Sequence, residues 1–306
     1  MAAAITDREE IESNLTAHYE LEEFAYYPAL RVKVKSATST RGSNLTGLDR
    51  DRTGIMIWPA THLLCQEMVS GNVDIDDRTV LELGCGCGLV GVVAAVVSKS
   101  SEKQKMYLST DMDEKALELC SENYDLNAVD TRSQVGPRIR KLTWGHGIEM
   151  QAIQDELFHN TQTSKFDSVV AADVVYPSTA GQVLMALFDT VDFFLRDGGI
   201  FYLSFATRDG CHTPQRLIEA ASTAGFAISA LPPLSDEIKP KLPPLLDSNI
   251  LLLERSDAAR ELNDKLGLLD CKVFPNLKLK IQRAEEESTD EEWEAPGGFD
   301  DGSDSE

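Results

Sequence analysis

The stretch Val80-Leu-Glu-Leu-Gly84-Cys-Gly86-Cys-Gly88-Leu-Val-Gly91 decides the fold. Its first residues are an apolar run of strand length, and three glycines at alternate positions follow before apolar residues resume at helical length. A buried strand therefore runs into a tight turn and then a helix. Glycine lets such a turn adopt positive φ and bring backbone close to a ligand. The helix behind it aims unpaired amides into the same space. Outward from this unit, strands and helices alternate. Strands are predicted at Thr79–Leu83, Lys105–Thr110, Arg138–Thr143, Asp167–Asp173, Ile200–Ala206, Phe226–Leu231 and Asn249–Glu254. Helices are predicted at Leu89–Val97, Asp113–Asn123, Ala180–Leu195 and Pro214–Ala224, with Asp113 as an N-cap and Gly225 as a C-cap. The pattern predicts an α/β fold, a Rossmann-like doubly wound sheet of seven strands. The long Pro-rich connection Pro232–Asp247 suits a sheet that is mostly parallel with one antiparallel strand.

Upstream, Trp58-Pro59 opens a helix that runs to Val69, since Pro is tolerated in a first helical turn. Leu30–Lys35 alternates like a strand, and Thr6–Leu21 reads as a helix. We divide the chain into an N-terminal helix/strand extension (1–52), a core (53–256), a C-terminal extension (257–283) and an acidic tail (284–306). The tail is expected to be disordered, because it has almost no apolar residues to bury.

The 306 residues carry 51 acids against 29 Lys and Arg, a net charge of −22. Ala284–Glu306 holds eleven of the acids and no base, half of that excess. Such a chain is a poor binder of nucleic-acid phosphate and attracts partners with basic surfaces. No apolar run is long enough to span a bilayer. The start, Met1-Ala-Ala-Ala, lacks a basic region and an apolar core, so no membrane association is expected and the cytoplasm or nucleus is the expected location. The six cysteines have no zinc-site spacing; no metal is expected, and all six read as reduced thiols.

Two cofactor classes use a glycine turn of this kind. Gly86-x-Gly88-x-x-Gly91 matches the dinucleotide fingerprint, with Asp111 about 20 residues on where a ribose-binding acid belongs. Glu82, two residues before the first glycine, favours the other class. An acid at that place resembles the S-adenosylmethionine-dependent methyltransferases, in which it orients the glycine loop around the amino-acid part of the cofactor. A carboxylate at Asp111 can accept from both ribose hydroxyls, while Asp113 is free to cap the next helix. Further on, Ala171-Ala172-Asp173-Val-Val-Tyr176 puts small residues and then an acid at a strand's carboxyl end, where α/β sheets bind ligands.

The ordered set resembles the seven-strand protein lysine methyltransferases, often called methyltransferase family 16. Asp173 and Tyr176 match its Asp/Glu-x-x-Tyr/Phe signature. Ile57-Trp58-Pro-Ala-Thr-His-Leu-Leu64 matches its tryptophan ahead of the glycine strand, and Leu142-Thr-Trp144-Gly145 its Leu-x-Trp-Gly. The resemblance runs from Thr53 to Ser256. It implies S-adenosyl-L-methionine as cofactor, lined by Trp58, Glu82, Gly84, Cys85, Gly86, Gly88, Asp111, Trp144 and Ala172. It implies that Asp173 and Tyr176 hold the acceptor, a lysine of a protein substrate. A monomer is expected. Cys85 and Cys87 replace the commoner Ala and Thr of the turn. The Pro-rich connection and the segment after Ser256 are not general family features. Two alternatives stay open: a methyltransferase acting on arginine, histidine or a small molecule, and a cofactor-binding interaction protein without catalysis.

Overall fold

The computed structural model describes residues 19–37, 54–101, 106–131, 136–159, 165–208, 212–245 and 248–266. The elements run β1 (Tyr19–Tyr26), β2 (Leu30–Ala37), α1 (Pro59–Val69), β3 (Thr79–Leu83), α2 (Leu89–Ser101), β4 (Met106–Asp111), α3 (Glu114–Leu126) and β5 (Gly136–Lys141). They continue through α4 (Gly147–Phe158), β6 (Phe166–Ala172), α5 (Gly181–Phe194), β7 (Leu195–Ala206), α6 (His212–Thr223), β8 (Phe226–Ala230), β9 (Ser248–Arg255) and α7 (Ala259–Leu266). The seven-stranded sheet has the order β5-β4-β3-β6-β7-β9-β8. All pairs are parallel except those of β9, which runs against both β7 and β8. β9 is thus the one antiparallel strand that the Pro-rich connection predicted.

The chain leaves β3 outward through β4 and β5, then returns to β6 on the other side of β3. That reversal opens a crevice at the strands' carboxyl ends, the place where open α/β sheets bind ligands. Apolar alternation along β3 splits the core. Val80 packs on one face with Leu64, Val93, Tyr107 and Tyr124, under α1, α2 and α3. Leu81 and Leu83 pack on the other with Phe188, Phe201 and Phe226. In α3 the buried residues Ala116, Leu119, Cys120, Asn123 and Tyr124 recur at the spacing of one helical face. Asp113 caps that helix, accepting from the Lys115 amide at 2.9 Å. No helix among the described residues is long and apolar enough to cross a membrane.

Two expectations are corrected. Tyr19–Leu21, read as the end of a helix, lie in β1; the rest of that reading falls outside the described residues, as do the acidic tail and the extension beyond 266. The strand forms because its hairpin is held from outside. Asn127 exchanges two hydrogen bonds with the Lys33 backbone at 2.7 and 3.0 Å, and Asn123 does the same with Lys35 at 2.7 and 2.9 Å. One turn apart on α3, the two amides complete the outer edge of β2 as a neighbouring strand would. Helix α4 was not predicted at all. Only Met150, Ile153 and Phe158 are buried along it, too sparse a stripe for periodicity to reveal.

Candidate active site

Three strand ends meet at the crevice. Gly84 and the turn after it continue β3, Asp111 ends β4 and Asp173 follows β6. The turn is shaped by backbone. The Cys85 amide donates to the Thr110 carbonyl at 2.9 Å, and the Gly88 amide to the Cys85 carbonyl at 2.9 Å. Gly86 has φ of 54°, and a Cβ there would sit 2.6 Å from the Gly54 carbonyl oxygen. Only glycine fits between that oxygen and the turn. Gly91 faces inward, where a Cβ would collide with the Tyr124 hydroxyl and lie 2.6 Å from Ser109 Oγ. Asn123 links the turn to the hairpin, donating to both the Cys87 and Lys35 carbonyls.

Asp111 is the latch of this turn. One carboxylate oxygen accepts from the Gly86 amide at 3.0 Å and the other from the Asp113 amide at 3.0 Å. Burial pushes its carboxyl above the usual range, and the backbone amides of Asp113, Gly86 and Met112 pull against that. A carboxylate has about four lone-pair sites, more than these amides use, so acceptor capacity remains for a further donor. Trp144 lies against Gly84, its ring 3.6 Å from where a Cβ would stand. Ala172, half-buried, closes β6 beside Asp173. Cys85 and Cys87 are buried and free, and burial keeps the Cys87 thiol protonated, pushing it up to about 12.

Glu82 stands behind the glycine motif, its partners Ser109 and Tyr124 being the groups that face Gly91. Its carboxyl is buried in the layer under α2 and α3, where it accepts from Ser109 Oγ at 2.7 Å; Ser109 in turn meets the Tyr124 hydroxyl at 2.9 Å. Holding the glycine turn falls to Asp111, since the Gly86 amide goes there. Burial pushes Glu82 up to about 8. The unfolded chain ionises this group near 4.5, so the stability it contributes is complete below pH 4.5 and is lost as pH rises to 8. Glu82→Gln removes the titration and keeps the acceptor. The melting temperature of the variant minus that of wild type should therefore climb by several degrees between pH 5 and pH 8.5. A difference that stays flat over that range would mean that Glu82 ionises normally in the fold.

Asp173 is wholly buried at its side chain and has φ of 56°. Its amide donates to the Ser204 carbonyl at 2.8 Å, which joins it to the end of β7. Arg208, just beyond β7, clamps the carboxylate with Nη1 at 2.8 Å and Nη2 at 2.7 Å. The Ala60 amide adds a third donor at 3.3 Å. That amide belongs to the first turn of α1, whose N-cap residue Trp58 supplies no side-chain cap. Asp173 does so from across the crevice, a favourable place for a negative charge. Arg208 also lies over Trp58, 5.3 Å from the ring centroid. Ser204 Oγ completes the junction, donating to the Ala60 carbonyl at 2.7 Å. Tyr176 is 41% exposed, so it is not a packing residue, and its amide donates to Thr179 Oγ1 at 3.0 Å.

The structure thus brings Asp173 together with Trp58, and Asp111 together with Gly86, while Glu82 meets the glycine motif through Ser109 and Tyr124 behind Gly91. Arg208 was missed from sequence. Its one signal is position: a base directly after the apolar strand Phe201–Ala206, level with the acid that follows the neighbouring strand. Beside α1, the Pro-rich connection roofs a cavity of about 620 Å³ whose walls include Leu63, Leu231, Leu234, Leu242 and the buried Glu67.

A doubly wound sheet of this order, with a latched glycine turn at its reversal point, defines a ligand-binding protein of the open α/β class. Within that class the chain belongs to the lysine methyltransferase family, whose sequence model matches residues 44–209. Protein N-lysine methyltransferase METTL21A of Danio rerio is 31% identical over 49% of this chain and 62% of its own length. Protein-lysine N-methyltransferase EFM3 of Chaetomium thermophilum is 28% identical over 58% of this chain and 49% of its own. Protein-lysine N-methyltransferase EFM6 of Saccharomyces cerevisiae is 32% identical over 43% and 55%. The similarity therefore spans about half the length of these relatives.

Proposed function

We propose that this protein transfers a methyl group from S-adenosylmethionine to a lysine side chain of a protein substrate. The observation that carries the reading is the pairing of an Asp111-latched glycine turn with the Asp173-x-x-Tyr176 segment, on adjoining strand ends of one crevice. The residues fit the cofactor. Gly86 leaves the turn open to close approach, Asp111 keeps acceptor capacity free, and Trp58 and Trp144 offer flat apolar walls. When bound, the cofactor supplies a methyl on a positively charged sulfur; an amine lone pair forms the new N–C bond and the S–C electrons stay on sulfur. The acceptor must arrive as a free amine, because an ammonium has no lone pair to give. A lysine amine has a reference pKa of about 10.4, so its proton leaves to water before transfer. The chain's contribution is positioning: Tyr176 at the rim and Trp58 at the start of α1 aim the amine. The acidic surface suits a substrate whose lysine stands among other basic residues.

The test is turnover with labelled S-adenosylmethionine on a lysate, followed by mass spectrometry of the labelled protein. Methyl-lysine is the expected product. Methyl-arginine, methyl-histidine or a labelled small molecule would replace the lysine reading. No transfer at all, with the cofactor bound, would leave an interaction protein.

A further inference from the structure

The geometry points to Arg208 as a positioning residue that cancels the charge of Asp173, so that the crevice receives the acceptor lysine as a neutral amine. The inference rests on the lysine reading above and assigns a task within the same site. An isolated carboxylate beside the acceptor would work against the reaction, because it stabilises the ammonium, the form that cannot attack. Asp173 is not isolated. It has a bidentate guanidinium at 2.7 and 2.8 Å and a helix amide at 3.3 Å, and its side chain is wholly buried. Arginine suits this task better than lysine would. Its charge does not titrate, and its planar fork matches both carboxylate oxygens. About a quarter of the Arg208 side chain stays exposed and none of Asp173's does, so the cation is the outer member of the pair. An incoming ammonium therefore meets a neutral pair with its cation outermost.

The other titratable groups near this end of the sheet are committed, among the described residues. Asp111 holds the Gly86 and Asp113 amides, and Glu82 faces Ser109. On α1, His62 Nδ1 bonds the Tyr26 hydroxyl on the hairpin side, and burial lowers it to about 4, so it is neutral at working pH. On α6, Arg216 donates to the Pro177 and Thr179 carbonyls, and the Tyr176 phenol sits at the rim. Arg208 alone among these bonds the Asp173 carboxylate.

The experiment compares the pH dependence of kcat/KM for wild type, Arg208→Gln, Arg208→Lys and the double variant Asp173→Asn/Arg208→Gln, all as full chains. The acceptor is the protein identified by lysate labelling. In Arg208→Gln an uncancelled carboxylate should move the rising limb to higher pH by about 1 to 3 units. Arg208→Lys restores a cation and should sit within half that shift. The double variant lacks both charges, so its limb should return to the wild-type pH whatever its absolute rate. A merely structural Arg208 would lower the rate and leave the limb in place. That result overturns the inference, as does a double variant still shifted like the single one.

A second measurement needs no acceptor. n-Butylammonium chloride, the cation of a lysine side chain, should raise the melting temperature of Arg208→Gln above an equal concentration of sodium chloride, and should not do so for wild type. Equal responses would overturn the inference even if no methyl-lysine product is found. Absence of that product alone would fault the lysine reading and not the charge cancellation.

Discussion

Asp173→Asn should leave S-adenosylhomocysteine affinity within a few-fold of wild type and lower single-turnover methyl transfer on the order of 100-fold. The two readouts separate because Asp173 serves one side of the crevice. Its three donors come from Arg208 and the start of α1, whereas the glycine turn is latched by Asp111 at the end of β4. Asparagine keeps the volume but offers one acceptor oxygen and an NH₂ group. That NH₂ would face a donor where a carboxylate oxygen now accepts. The first turn of α1 then loses its cap, and Trp58 loses the guanidinium held over it. A displacement of about 1 Å in such a wall is enough for a loss of this size. Tyr176→Phe should lose less, since the exposed ring remains and only the hydroxyl goes. The paired measurement is calorimetric binding and single-turnover rate on one preparation. A folded Asp173→Asn protein that binds and transfers like wild type would show that other residues place the acceptor.

What sequence reveals and what it hides divide along physical lines here. The glycine turn is legible because positive φ and close approach leave glycine almost alone as a choice, as the Gly54 oxygen over Gly86 makes plain. The sheet is legible because buried parallel strands read as apolar runs between helices. β9 is legible as a strand from its apolar run, and the length of the connection before it signals an antiparallel strand in the sheet. Features made by contacts distant in sequence are not legible. β1 is a strand because Asn123 and Asn127 hold its hairpin partner, and nothing within Tyr19–Tyr26 records that. The Asp173–Arg208 pair joins positions 35 residues apart on neighbouring strand ends. From sequence, Asp173 is an acid at a strand end with no partner named for it. The structure shows it paired with Arg208.

Asp111→Ala should weaken S-adenosylhomocysteine binding by roughly 10- to 100-fold, since a hydrogen bond to a charged group contributes about 1.5–3 kcal/mol. Two separate losses act together. The ribose would lose the acceptor capacity that Asp111 keeps open, and the glycine turn would lose the bond that holds the Gly86 amide at 3.0 Å. The second loss weakens binding too, because a turn with a free amide must be ordered when the ligand arrives. Asp111→Asn distinguishes the two. It can still accept from Gly86 through its amide oxygen, yet presents a weaker acceptor and a donor to the ribose. Its affinity should fall between wild type and Asp111→Ala. The helix behind is not at stake, because α3 takes its cap from Asp113 and keeps it in both variants. Their melting temperatures without ligand should therefore stay close to wild type, and the effect should emerge only in calorimetric titration with S-adenosylhomocysteine. If a folded Asp111→Ala protein binds as tightly as wild type, the carboxylate is a strut for the turn and the ribose is held by another group.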